Sequence, residues 1–145
     1  MTKFPSVEWF QAVREMATKD DRLRKLGTCD AVMGVKVRDE AFELTFEAFD
    51  CVNVRGIPAA ELVNADFYLG ASFETWREML DNIKEHGKAD LQHTLNTIDY
   101  MEPGGFAKSE DQSRKDLFYR YLRTFQQFFD ASAEVETEFA TPQPV

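Results

Sequence analysis

The chain has 145 residues, 43% of them apolar and 30% charged, the size and balance of one globular domain with its own core. Its 26 acidic against 17 basic residues leave a formal charge of −9, and no basic stripe offsets it, so nucleic acid and anionic membranes are set aside as partners. No run approaches the ~20 apolar residues of a membrane span and no apolar leader is visible, which makes a reducing cytoplasm the expected compartment. Cys29 and Cys51 are then expected as free thiols, although both fall in strand-like segments where a disulfide stays open. The unusual component is Phe, at 13 residues. Rigid rings build thick cores and also line pockets for flat apolar ligands.

Ser6 reads as an N-cap, with Phe4 before it as a staple, and Val7, Phe10, Val13 and Met16 recur at threes. This predicts a helix over 7–18. Asp20 or Asp21 opens a short second helix over 22–26, which Gly27 stops. From Cys29 the period changes to two. Met33, Val35 and Val37 alternate with Gly34, Lys36 and Arg38, and after a turn Phe42, Leu44, Phe46 and Ala48 alternate with Glu43, Thr45 and Glu47. Val52 and Val54 follow the Phe49-Asp50 turn, so the three strands make an antiparallel meander ending at Gly56-Ile57-Pro58.

Residues 58–63 read as one helical turn or an irregular loop. Phe67 and Leu69 share one face of a fourth strand. Ser72 caps a helix that buries Phe73, Trp76, Met79, Leu80 and Ile83, and Gly87 ends it. Leu95 to Tyr100 is a candidate fifth strand and 90–94 a further helical turn, broken by Pro103-Gly104-Gly105. Ser109 caps a long helix to Asp130, with Glu110 and Asp111 in its first turn. On it Leu117, Phe118, Tyr121, Leu122, Phe125, Phe128 and Phe129 form one aromatic face that a sheet, a second chain or an apolar ligand must cover. The fold class is therefore α+β: a single antiparallel sheet of about five strands with helices on one face, in one domain over 1–131. An acidic tail over 132–145 is expected to be disordered.

Candidate chemistry is sparse. His86, Asp90 and His93 would share a face if their segment were one helix, but Gly87 interrupts it, so no metal is expected there. Cys29-Asp30 and Asp50-Cys51 pair each thiol with an acid, which suppresses the thiolate. Asp66, Asp99 and Tyr100 would suit proton transfer beside a carbonyl if they faced one cavity. Trp76 is the residue to watch as a pocket lining. The glycines match no phosphate-binding spacing, and no cofactor is expected.

The meander from Ala31 to Arg55, followed by Asn64-Ala-Asp-Phe-Tyr-Leu-Gly-Ala-Ser-Phe-Glu-Thr-Trp-Arg-Glu-Met-Leu, resembles the sterol-carrier-protein family over about residues 5–130. That resemblance implies a five-stranded sheet and helices enclosing an apolar tunnel for acyl chains or sterols. It places Phe42, Leu44 and Phe46 on the inner face beside Phe67 and Leu69, with Trp76 and Leu80 above them. Phe118, Tyr121, Leu122 and Phe125 would close the wall. Two departures stand out. The glycine-lysine phrase before the last strand is blurred into Gly87-Lys88-Ala89-Asp90, and the bulky C-terminal helix would plug the tunnel or pair with a second subunit. The expected function is non-enzymatic binding of an apolar small molecule. The alternatives are an interaction module that buries the Phe-rich C-terminal helix against an identical or different chain, and a cone-shaped proton-transfer enzyme of the nuclear-transport-factor type. A homodimer through Phe128 and Phe129 suits both the carrier and the module.

Overall fold

The computed structural model describes residues 1–140. A short strand β1 (Thr2–Phe4) precedes α1 (Val7–Thr18), whose N-cap Ser6 accepts the Trp9 amide through Oγ. Asp20 caps α2 (Asp21–Lys25) in the same way, through the Arg22 amide. Both helices lie where the capping residues and apolar spacing predict them. Trp9, Phe10, Val13 and Leu23 face inward and are fully buried.

The meander follows as β2 (Ala31–Val37), β3 (Glu40–Glu47) and β4 (Asp50–Ile57), both pairs antiparallel. Its register sets Met33 opposite Leu44 and Val35 opposite Phe42, so one face is continuously apolar. The alternation fails once. Thr45 pairs with Asn53 and Phe46 with Cys51, which leaves Val52 as the extra residue of a bulge. Cys51 and Val54 therefore point into the core, and Val52 is 44% exposed.

After β4 the chain crosses back through a 3-10 turn, Ala59–Asn64, to β5 (Phe67–Ala71). Because β4 occupies an outer edge, β5 docks beside β2 and runs parallel to it, giving the order β4-β3-β2-β5-β6 with β6 at Ala107–Lys108. The sheet is thus mixed and not purely antiparallel, a correction that follows from the crossover. The crossover also explains Gly34, since a Cβ there would stand 2.7 Å from Leu62 Cδ2 and 2.8 Å from Tyr68 Cβ.

α3 (Phe73–His86) runs from its Ser72 cap to Gly87 at φ +81, as predicted. The predicted strand over 95–100 is instead α4 (Leu95–Met101), because Thr94 caps it by accepting the Thr97 amide. The C-terminal helix is two helices, α5 (Gln112–Arg120) and α6 (Leu122–Asp130), bent at Tyr121 where φ is −109° and ψ 22°. Its cap is Asp111, which accepts the Ser113 and Arg114 amides, while Ser109 Oγ takes the Asp111 amide one turn earlier.

Beyond residue 131 the acidic stretch is built into the fold up to residue 140. A 3-10 turn, Ala131–Glu134, leads to buried Val135 and to β7 (Thr137–Phe139), which pairs in parallel with β1. Phe139 packs edge-on against Phe4 at 6.0 Å and lies under the Arg77 guanidinium at 4.9 Å. Apolar Val135 and Phe139 thus override the acidic composition that suggested disorder; residues 141–145 of the expected tail lie outside the described residues. Among the described residues no helix is long and apolar enough to cross a membrane.

Candidate functional site

The residues expected to line a tunnel do converge, on the inner face of the sheet and the helices above it. Phe42, Leu44, Phe46, Phe67, Leu69, Trp76, Leu80, Phe118 and Phe125 are each at most 4% exposed, while Tyr121 and Leu122 are half-buried at the bend between α5 and α6. Their rings meet directly. Phe125 packs edge-on against Phe46 at 5.2 Å and Phe67 at 5.3 Å, and stacks with Phe118 at 6.4 Å. Trp76 packs against Phe106 at 5.0 Å and Phe129 at 5.8 Å, and its indole N–H donates to the Lys36 carbonyl. Phe128 and Phe129 are wholly buried by the chain itself. The aromatic face of α6 is therefore covered from within.

Open hollows lie elsewhere on the surface, beside Phe49 and along α3 among other places, and two that adjoin lie on the outer face of the sheet. Residues alternating with the buried ones point there: Lys36 of β2, Tyr68 and Gly70 of β5 and Lys108 of β6, with Lys36 beside Gly70 and Tyr68 beside Lys108 in register. One hollow of about 490 Å³ is bounded by Lys36, Arg38, Tyr68, Lys108, Glu102 and the first turn of α3 at Ser72–Glu74. A second, narrower hollow of about 230 Å³ lies between the 3-10 turn and residues 108–110, against Leu62, Val63, Ala65 and Phe67. Tyr68 and Lys108 border both. The two hollows, together the groove, adjoin along this shared border: the first is flanked by Lys36, Arg38 and Lys108, and the second sets Leu62 and Val63 opposite Ser109 and Glu110.

Lys108 is the best-anchored side chain of the groove. Its Nζ donates to the Gly70 carbonyl at 2.8 Å and the Gly105 carbonyl at 2.9 Å, and partial burial draws its pKa below the usual lysine range. The loop that presents it is held by Asp99. One carboxylate oxygen of Asp99 accepts the Phe106 and Ala107 amides, and the other accepts the Tyr119 hydroxyl at 2.7 Å. Gly105 is required beside it, with φ +86 and space for a Cβ only 3.1 Å from that carboxylate. Arg38, at φ +56 in the β2–β3 turn, lays its guanidinium over the Phe73 ring at 4.0 Å.

The other candidate residues are separate. Asp66 accepts the Val32 amide and lies 3.3 Å from Arg114 Nε, whereas Asp99 holds the β6 loop and Tyr100 is 87% exposed, so the three share no cavity. His93 is clamped by Asp90 at 2.6 Å and Glu78 at 3.0 Å, and the Asp90 hydrogen bond raises its pKa, with Glu78 adding to the effect. His86 lies apart from this pair, half exposed beside Glu85, and among the described residues no three His, Cys, Asp or Glu side chains converge as metal ligands. Cys29 and Cys51 are unbridged and buried, and burial pushes both thiols up to about 12.

Sequence reasoning did not single out Lys36, Tyr68 and Lys108. A signal was present for Lys36 and Tyr68, which occupy the polar phase of predicted strands. Lys108 lies in a two-residue strand with no alternation to read, although Gly104-Gly105 precedes it by the length of a tight turn. What local pattern omits is that β5 pairs with β2, which alone brings these side chains together. Comparisons with family models, with curated proteins and with solved structures found no match.

Proposed function

We propose that the chain is a non-enzymatic binder of a small, largely apolar molecule, held in the groove on the outer face of the sheet. The observation that carries this reading is a pair of adjoining hollows that share Tyr68 and Lys108 as a common border. The wider one falls in the usual volume range of small-molecule sites, ~300–1,000 Å³. An apolar body seated against Leu62, Val63 and the Tyr68 ring gains about 25 cal/mol for each Å² removed from water. Binding in the micromolar range, ~8 kcal/mol, therefore asks for over ~300 Å² of apolar surface removed from ligand and protein together, or for polar contacts beside it. The reading keeps the carrier role that the sterol-carrier resemblance implies and moves its seat from the packed interior to the opposite face. Binding there leaves the ring-packed core intact, whereas an interior ligand would have to displace rings already in contact.

The test is native mass spectrometry of freshly purified protein, with organic extraction of what accompanies it, repeated on Val63→Asp. Val63 is 56% exposed, so the substitution charges the apolar end without touching the core. A co-purifying apolar compound lost from the variant is the expected result. A compound retained equally by both proteins would remove the groove as its seat.

A further inference from the structure

We infer that the charged end of the groove is a receptor for a single acidic oxyanion group, a carboxylate or a phosphate monoester, carried by the molecule whose apolar body lies toward the 3-10 turn. This rests on the groove reading above and adds the chemistry of the head group. In a chain of net charge −9, Lys36, Arg38 and Lys108 border one hollow, and among the described residues none of the three lies within ion-pair distance of a carboxylate.

The donor geometry supports the same assignment. A lysine ammonium has three N–H donors and no acceptor. Two of those on Lys108 are committed to the Gly70 and Gly105 carbonyls, which fixes the amine in place and leaves the third without a protein acceptor among the described residues. The Arg38 guanidinium lies over the Phe73 ring at 4.0 Å and makes one long contact, 3.5 Å, to the Ala140 carbonyl, so most of its N–H donors have no acceptor among the described residues. Ala71 adds only a methyl group to the floor, and the space over Gly70 is taken by the Tyr68 ring and the Lys108 amine, which sets that amine at the floor of the hollow.

The charge count limits the occupant. Glu74 and Glu102 border the same hollow, so three cations face two carboxylates. Glu102 is tethered by the Thr75 hydroxyl at 3.2 Å, which keeps its charge at the rim. That balance suits one singly or doubly charged group and disfavours a polyphosphate, whose further charges would meet both glutamates.

The experiment is isothermal titration of the full chain with octanoate, octyl phosphate and 1-octanol, which share a chain and differ at the head. The expected result is that at least one anion binds about tenfold or more tightly than the alcohol, the increment of one charge-assisted hydrogen bond. Binding of octanoate alone names a carboxylate, of octyl phosphate alone a phosphate, and of both a site that reads charge. Lys36→Gln, at a half-buried position whose side chain makes no hydrogen bond among the described residues, should cut the anion's advantage several-fold and leave 1-octanol unchanged; Lys108→Met should cut it further. Equal affinity for all three probes would overturn the head-group inference and leave the groove reading standing. Failure of all three to bind would overturn both.

Discussion

The inner face of the sheet carries Met33, Val35, Leu44, Phe46, Phe67 and Leu69 beneath helices, whereas the outer face carries Lys36, Glu43, Arg55, Tyr68 and Lys108 beneath a single 3-10 turn. The inner side is closed by ring-on-ring contact, with Phe125 touching Phe46, Phe67 and Phe118. On the outer side Gly34 admits the close approach of Leu62 and Tyr68, and Gly70 that of the Tyr68 ring, with the two hollows bordered by Tyr68 and Lys108. An abundance of phenylalanine is thus compatible with a ligand site that uses almost none of it. The ring packing is concentrated on one face and these two hollows lie on the other.

Phe125→Ala should break the inner face most severely. Removing a wholly buried ring from three aromatic contacts should cost about 3–5 kcal/mol in chemical denaturation. A loss under ~1 kcal/mol would show that the interior is loosely packed and able to admit a guest. Gly34→Ala tests the outer face through its closest approach. Overpacking against Leu62 and the Tyr68 Cβ should cost about 1–3 kcal/mol. Leu62→Ala in the same protein should relieve part of that cost, because Leu62 Cδ2 is the flexible partner and the neighbouring strand is not; a double-mutant cycle with no coupling would contradict the geometry.

The smallest effect belongs to His93, at the edge between the faces. Its folded pKa is raised, so its clamp by Asp90 and Glu78 contributes fully below the unfolded value of about 6.5 and is lost as pH rises through the folded value. Because these carboxylates are largely exposed, the contribution is small and salt-sensitive. The stability difference between wild type and His93→Gln should shrink from mildly acidic to mildly alkaline pH. A difference that grows over that interval would reverse the assigned sign.

Local signals were enough for most elements of this fold. The Ser6 and Ser72 caps, Gly87 and the alternation through Phe42, Leu44 and Phe46 each act within one helical turn or one strand, and the structure follows them. Pairing between distant segments was not legible in that way. The parallel contact of β5 with β2 and the closure of β1 by β7 depend on chain separated by dozens of residues, and the bulge that turns Val52 outward depends on its partner strand. Thr94 capped a helix over residues whose apolar spacing also suited a strand, and the bend at Tyr121 divided a helix that periodicity made continuous. The groove belongs to this second class. Its lining is assembled by pairing, so Lys36 and Tyr68 looked like ordinary solvated strand positions, and Lys108 lay in no predicted element, until the register was known.

Amide and indole NMR of the full chain during titration with octanoate tests most directly whether ligand is held on the outer face. The account predicts that shifts concentrate at Lys36–Arg38, Tyr68–Ser72 and Lys108, with the buried Trp9 indole and the Phe118–Phe125 amides unmoved. Shifts centred on the Trp76 indole and on Phe118–Phe125, with the groove amides silent, would place the ligand among the rings and contradict it.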